Sequence, residues 1–310
     1  MLPKQLRLPP SAEFLARCGY VARQRFGKRQ APTTSPDLQL RREPVTPEQL
    51  ASALSALGIK PGGDVIVHSD APAMESIGWT PSDMIDFLVD YIGTDGTLLM
   101  PTHPKLKTVD GKRTFNLRRS PSTVGMMTEL FRRRPGVVRS SFPYSSVAAF
   151  GARANELLDD HINSFAPHDE HSPYAKLATT DGKALCIGCD LDRMTILHVA
   201  EDTLRDQLEI DGFHQPQTVH VIDGDEERLV VAHTRAPWLW WYLNLSRWTS
   251  DMYRHRVAKD VSVNGVPLRA ASAGRMSSFM DYEIKSGRSL YPLAKINRWL
   301  KLDTPQLEAA

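Results

Sequence analysis

Three features of the sequence predict an α/β protein: α/β/α layers around a mixed, largely parallel central sheet, with a helical C-terminal segment. Helix-like and strand-like segments alternate along the chain, the order that places crossover helices against a parallel sheet. Short apolar runs such as Val65 to Val67, Leu98 to Met100 and Ala184 to Ile187 read as buried strands. At 310 residues the chain is long enough for an ample core.

Residues 1–44 form a basic N-terminal extension, with nine Lys/Arg against three Asp/Glu and a Pro/Thr/Ser-rich linker over 31–38. Lys4, Arg7, Glu13 and Arg17 interrupt any secretory apolar core. The Arg-rich, acid-poor composition also fits an organellar transit segment, but a short basic helix and linker is the preferred reading. A single domain is expected over 45–310. It opens with a helix at Thr46-Pro47-Glu48-Gln49, where Thr46 is the N-cap and Gln49 its capping-box partner. The apolar face Leu50, Leu54 and Leu57 ends at Gly58. A strand follows at Val65 to Val67, a helix capped by Thr80-Pro81-Ser82-Asp83, and a strand at Leu98 to Met100. Gly125 to Arg134 reads as a helix closed by Pro135-Gly136, Val147 to Phe150 as a strand and Ala152 to Leu158 as a helix. Thr218 to Ile222 and Leu229 to Ala232 read as a hairpin around an acidic turn, and the remainder as a helical region.

Composition narrows the function. The formal net charge of +2 asks for no nucleic-acid partner. Three cysteines (Cys18, Cys186 and Cys189) give no disulfide framework and fit a reducing, cytoplasmic setting. Cys186 and Cys189 form a Cys-x-x-Cys, but at a strand rather than a helix start, so packing is favoured over redox or metal chemistry. No apolar run approaches the roughly 20 residues of a membrane span.

The most informative stretch is Asp190 to Glu201. His198 and Glu201 stand at i and i+3, so a helix starting near Thr195 presents them on one face. Asp192 lies six residues upstream, within reach of a loop folding back onto the imidazole. A histidine between two carboxylates is a way to build a general base near neutral pH: one partner fixes the tautomer, the other stabilises the imidazolium. The motif follows the strand ending at Gly188, and catalytic groups of open α/β sheets gather at such strand ends.

The pattern Asp181-Gly182-Lys183-x-Leu185-x-Ile187-Gly188, then Asp192-Arg193-x-Thr195-x-Leu197-His198-x-Ala200-Glu201, resembles the aminoglycoside 3-N-acetyltransferase family. The resemblance runs over most of 45–293. It includes Gly63 to Ser69, Ser76-Ile77-Gly78, Gly93 to Thr102, Pro135 to Ser140, Pro143, Ser146 to Gly151, and Ser172 to Leu177. It implies transfer of acetyl from acetyl-CoA to an amine on a sugar ring, without a metal. By resemblance His198 is the base, and either Glu201 or Asp192 is the carboxylate that orients it. Ser69, Ser76, Ile77 and Gly78, with His68, match the loop that meets CoA. Thr102 is the neighbour of the thioester and Ser146 belongs to the same donor side. Asp169, Glu170 and Tyr174, around the His-rich loop 161–171, are expected on the acceptor side. One departure stands out: Phe142-Pro143 replaces the His-Pro of many relatives.

The acceptor is read from charge. Residues 228–301 hold thirteen Lys/Arg against four Asp/Glu, which favours an anionic acceptor such as a nucleotide- or lipid-linked amino sugar. The alternatives are a polycationic aminoglycoside, or a relative that binds CoA or glycan without catalysis. The Trp-rich segment 237–248, with basic flanks, reads first as core or homodimer contact and second as a ligand or peripheral membrane contact.

Overall fold

The structure, a computed structural model, describes residues 43–208, 216–235, 246–288 and 290, together with Ala12, Leu15, Ala16 and Gly19. The basic extension and most of the Trp-rich segment therefore lie outside the described residues.

The described helices are α1 (Pro47–Ala56), α2 (Ala71–Ser76), α3 (Pro81–Ile92), α4 (Met126–Phe131), α5 (Ala154–Leu158), α6 (Pro173–Ala178), α7 (Val199–Thr203), α8 (Ser246–Arg254) and α9 (Ala273–Lys285). The strands are β1 (Asp64–Ser69), β2 (Thr97–Pro101), β3 (Lys107–Val109), β4 (Lys112–Asn116), β5 (Val138–Arg139), β6 (Val147–Gly151), β7 (Lys183–Ile187), β8 (Gln217–Asp223), β9 (Glu226–Ala232), β10 (Ala258–Val263) and β11 (Val266–Ser272). Among the described residues no helix is long and apolar enough to cross a membrane.

Helix starts follow from local chemistry. Thr46 accepts from the Gln49 amide while the Gln49 side chain accepts from Thr46, a closed capping box. Thr80 and Asp83 repeat the device at α3, and Ser172 caps α6. Prolines at the first turns of all three cost nothing, because those N–H groups have no helical partner.

Seven strands form the main sheet in the order β10-β11-β7-β1-β2-β6-β5. Alternation along the strands divides the core into two layers. Val65, Val67, Leu98, Met100, Leu185 and Ile187 face α1, α2, α3 and α4. Ile66, Leu99, Ala184 and Cys186 face α6, α7, α8 and α9. Period-two side chains of a buried sheet must satisfy both faces, which is why these strands read as unbroken apolar runs. Trp248, from the end of the Trp-rich segment, is buried in the second layer against Phe279, ring centroids 6.0 Å apart.

The α/β/α layering, the mixed sheet and the helix after the last strand match expectation. The parallel part is smaller than "largely parallel" suggests. Within this seven-stranded sheet only β7-β1-β2 is parallel, and the flanking pairs are antiparallel. At one edge the cause is a short connection, since strands joined by a tight turn can only run antiparallel. At β10–β11 the turn is Asn264-Gly265, both residues at positive φ (46° and 82°), the hairpin chemistry of a type I′ turn. This hairpin falls where the sequence was read as helical. Asp110-Gly111 makes a second such turn between β3 and β4. Together β3, β4, β8 and β9 form a smaller sheet around Phe115, Phe142 and Val219.

Gly188 closes β7 at φ +73°, and a Cβ there would sit 2.2 Å from the Ala73 Cβ. Gly188→Ala is expected to destabilise the fold by about 1–3 kcal/mol through overpacking and backbone strain. A fall in the urea midpoint at unchanged m-value would show it.

Candidate active site

The carboxyl ends of β1, β2 and β7 share one edge of the sheet, and they open into a cleft of about 1190 Å³. β1 supplies His68 and Ser69, the segment after β2 supplies His103, and the loop after β7 supplies Cys189, Asp190 and the run from Asp192 to Thr195. His198 lies at the wall, at the end of a 3₁₀ turn, Thr195–His198, that runs directly into α7. The turn is tighter than the α-helix expected from Thr195, but the i, i+3 pairing survives. His198 Nδ1 donates to Glu201 Oε2 at 2.8 Å, with side chains 8% and 2% exposed. A proton committed to the carboxylate at Nδ1 leaves the lone pair on Nε2, the tautomer a base needs.

A second carboxylate supports this pair, and it is not Asp192. Asp202, fully buried, accepts from the His168 backbone N–H and Nδ1, both at 2.9 Å, and pairs with Arg235. Arg235 also donates to the His198 carbonyl at 3.3 Å and lies 3.4 Å from Glu201 Oε2. Burial pushes the Asp202 carboxyl up, against the pull of Arg235. The His168 ring lies 5.5 Å from that of His198, and its Nε2 meets Ser145 Oγ at 3.1 Å. Asp202 at i+4 from His198 was visible as a helical neighbour; Arg235, far along the chain, was not.

Asp192 lines the same cleft but pairs with Arg193, at 3.7 Å, and makes no bond to the imidazole. Burial raises its carboxyl. Of the two carboxylates expected beside the imidazole, Glu201 bonds to it and Asp192 does not. His68 accepts at Nε2 from the Thr195 N–H (3.3 Å), and the Thr195 hydroxyl lies 3.2 Å away. Burial first, and then His103, lowers its pKa to about 3, so it stays neutral. His103 falls to about 4, through burial and the nearby His198 and Arg139.

Of the expected donor loop, His68 and Ser69 line the cleft, and Ser76, Ile77 and Gly78 do not. Ser76 donates to Ala73 O, the Ile77 carbonyl accepts from Val45 N at 3.0 Å, and a Cβ on Gly78 would meet Pro44 at 2.8 Å. Ile77 and Gly78 thus pack against the entry to α1, and Ser76 bonds back within α2. Thr102 and Ser146 are fully buried behind the wall, each 3.1 Å from Arg139 Nε. Arg139 further donates to the carbonyls of Ser120 (2.7 Å) and Leu117 (3.1 Å). Its burial lowers the guanidinium to about 9. Two hydroxyls in sequence could not announce that a buried arginine uses them.

On the acceptor side, Asp169 Oδ2 accepts from the N–H groups of Phe165 (2.7 Å) and Ala166 (3.0 Å), and so structures its own loop. Tyr174 is fully buried, its hydroxyl donating to Ser145 O at 3.2 Å. Glu170 lies 3.9 Å from Arg205 and does not line the cleft. Phe142 does not face it either: its ring is buried and stacks on His161, centroids 5.0 Å apart. The Phe142 departure is therefore a core substitution. Cys186 is buried in β7 and Cys189 lies on the cleft wall, both as free thiols.

The histidines of loop 161–171 have separate partners: His161 meets Ser140, His168 meets Asp202, and His171 meets Asp160 at 2.5 Å. The last pair sets a pH dependence. Hydrogen bonds from Asn163 and His171 lower Asp160, and the bond to Asp160 raises His171. Asp160 contributes stability above its ordinary value of 3.8, and that contribution is lost as pH falls through its lowered pKa. His171 contributes below 6.5, and that contribution is lost as pH rises through its raised pKa. The pair is therefore worth most between 3.8 and 6.5. Both side chains are about two-fifths exposed, so solvent screening limits the effect to about 0.2–1 kcal/mol. Urea midpoints across this range are expected to flatten in His171→Ala.

Charge at the cleft is balanced. Arg193, Arg235 and Arg269 face Asp70, Asp190 and Asp192, with Arg269 paired to Asp190 at 3.1 Å. The basic excess of residues 228–301 does not collect here.

Residues 66–284 match the family model described as aminoglycoside 3-N-acetyltransferase. Aminoglycoside N(3)-acetyltransferase VII of Streptomyces paromomycinus is 34% identical over 175 residues, covering 51% of this chain and 60% of that protein. The SPbeta prophage-derived aminoglycoside N(3')-acetyltransferase-like protein YokD of Bacillus subtilis is 32% identical over 182 residues, covering 51% and 65%. The chain thus spans less than two-thirds of the length of these curated relatives. Among solved structures, aminoglycoside acetyltransferase AAC(3)-Xa superposes with a TM-score of 0.64 at 26% identity, over 79% of this chain and 94% of that one. AAC-IIIb in a binary complex with CoASH gives a TM-score of 0.65 at 23% identity, over 79% and 97%, a likeness of fold.

Proposed function

The chain belongs to the aminoglycoside 3-N-acetyltransferase family, and on that premise we propose that it is an enzyme that transfers acetyl from acetyl-CoA to an amine of an amino sugar. The observation that carries this reading is the buried His198–Glu201 hydrogen bond at the wall of the strand-end cleft. A protonated amine is not a nucleophile, so the reaction needs a group to hold the proton. His198 Nε2 accepts it as the amine nitrogen attacks the thioester carbonyl. The new C–N bond forms, the C–S bond breaks, and the thiolate of CoA leaves and takes a proton. Glu201 steadies the imidazolium meanwhile.

Acetyl-CoA fits the residues present. Its cleft, about 1190 Å³, exceeds the roughly 300–1,000 Å³ of a single small-molecule site, leaving room for donor and acceptor together. His103 Nε2 is buried on this cleft without a partner among the described residues, a polar atom available to a ligand. Arg193, on the rim and 72% exposed, suits a CoA phosphate.

An aminoglycoside is favoured over the nucleotide- or lipid-linked amino sugar expected from sequence. The charge argument for the latter fails locally, since arginines and aspartates balance at the cleft. Relatives bearing the name aminoglycoside N(3)-acetyltransferase support the same choice. Asp70, Asp190 and Asp192 offer the carboxylates that a polycation would meet. Thiol release from acetyl-CoA against a panel of aminoglycosides and nucleotide-linked amino sugars tests it. Turnover confined to aminoglycosides is the expected result; turnover confined to nucleotide sugars would restore the anionic acceptor.

A further inference from the structure

The sheet has a second pole. At the amino ends of β1 and β7, opposite the cleft, lies a groove of about 630 Å³. Lys60, Arg153, Lys183, Arg256, Lys259 and Arg275 line it, against two carboxylates, Asp64 and Asp181. Arg153 is committed to Asp64 and Glu156, each at 2.6 Å, and Lys183 to Asp181 at 2.6 Å. Lys60, Arg256, Lys259 and Arg275 make no ion pair within 4 Å among the described residues, and Lys60 and Arg275 act only at longer range on Asp181, whose carboxyl they help Lys183 to lower. The contrast with the balanced active cleft is direct: three cations of the C-terminal third, Arg256, Lys259 and Arg275, converge here.

Two further features aim this groove at an anion. Arg256 is held at φ +55°, a left-handed position that glycine or asparagine occupies at lower cost. The amino end of the thirteen-residue α9, capped by Ser272, opens onto the same space and adds its partial positive charge.

We propose that this groove is a binding site for an oligophosphate, separate from the acetyl-transfer cleft. Unpaired like charges held around one concavity repel each other, and a ligand of several negative charges relieves that repulsion at once. A single phosphate would leave most of the volume to water, whose share of liquid volume is about 30 Å³ per molecule. No aromatic side chain lines the groove among the described residues. A single-stranded nucleic acid would lack the stacking platform it ordinarily uses, which favours a compact polyanion over RNA.

The test is calorimetric titration of the full chain with inorganic tripolyphosphate at low ionic strength. Saturable binding is expected, weakening with added salt as screening shortens the reach of the charges. The triple variant Arg256→Glu/Lys259→Glu/Arg275→Glu should weaken it by about tenfold or more, since several exposed charge contacts are reversed together. Its acetyl-transfer rate should not change. Arg256→Gly guards against a folding artefact: it removes the left-handed strain, so thermal stability should hold while tripolyphosphate affinity falls. Absence of saturable binding to wild type would overturn the proposal. So would equal affinity in the triple variant, or displacement of tripolyphosphate by CoA, which would place it in the other cleft. Binding of an RNA oligonucleotide or of anionic phospholipid vesicles without binding of free tripolyphosphate would also overturn it, in favour of a macromolecular or membrane partner.

Discussion

His198→Ala is expected to lower kcat for acetyl transfer by about 10²–10⁴-fold, the ordinary contribution of a positioned general base, with CoA affinity unchanged. The imidazole is buried and bonded to Glu201 through Nδ1, so its removal takes away the proton acceptor without cutting into the strand ends that would hold the donor. Glu201→Gln discriminates between a base and a packing residue. The amide keeps the shape of the carboxylate, yet its NH2 can donate to Nδ1 and force the imidazole proton onto Nε2. That wrong tautomer should cost activity to a similar order while leaving the fold intact. Steady-state kinetics of both variants, with calorimetric CoA binding as the control, reads the two effects apart. A purely structural histidine would instead show lost stability in step with lost activity.

Asp202→Ala is expected to give the largest loss of stability, about 3–5 kcal/mol, because it takes from the buried Arg235 guanidinium the nearer of its two carboxylates and leaves only Glu201, at 3.4 Å. Asp202 is fully buried and Arg235 is 6% exposed. The same substitution strips the His168 backbone and ring of their acceptor. Urea denaturation measures the loss. Asp202→Ala/Arg235→Met should recover a large part of it, since removing both charges leaves no buried guanidinium short of its nearer carboxylate. If the double variant is no more stable than Asp202→Ala, the ion pair is not the source of the cost. Activity in the double variant should remain above that of His198→Ala, because Glu201 still holds the imidazole.

The sequence made the framework legible where chemistry is local. Thr46 and Thr80 announce helix starts because a cap and its partner lie three residues apart. His198 and Glu201 are equally local, and their bond forms even though the turn is 3₁₀ rather than α. Asn264-Gly265 was a local signal too, and reading it would have placed β10 and β11 as a hairpin on the sheet edge. Strand direction at β6 and the company of Thr102 and Ser146 depend on contacts across many residues, which spacing does not encode. His168, Asp202 and Arg235 come from three separate parts of the chain, so only the fold reveals their network.

Charge shows the same limit more sharply. Thirteen basic residues over 228–301 predicted an anionic acceptor, but a count carries no position. Arg235 and Arg269 are matched by carboxylates at the cleft, Arg254 by Asp251, Lys285 by Asp281 and Arg288 by Glu283. Arg256, Lys259 and Arg275 sit at the far pole of the sheet. Field at a site depends on distance and pairing, and both act over a few ångströms in salt.

The most direct measurement is the rate of free-thiol release from acetyl-CoA with an aminoglycoside acceptor, wild type beside His198→Ala. Acceptor-dependent release by wild type, falling by about 10²–10⁴-fold in the variant, is the expected result. Equal release by both proteins would contradict a base at His198, and no release together with no CoA binding would contradict acetyl transfer at this cleft.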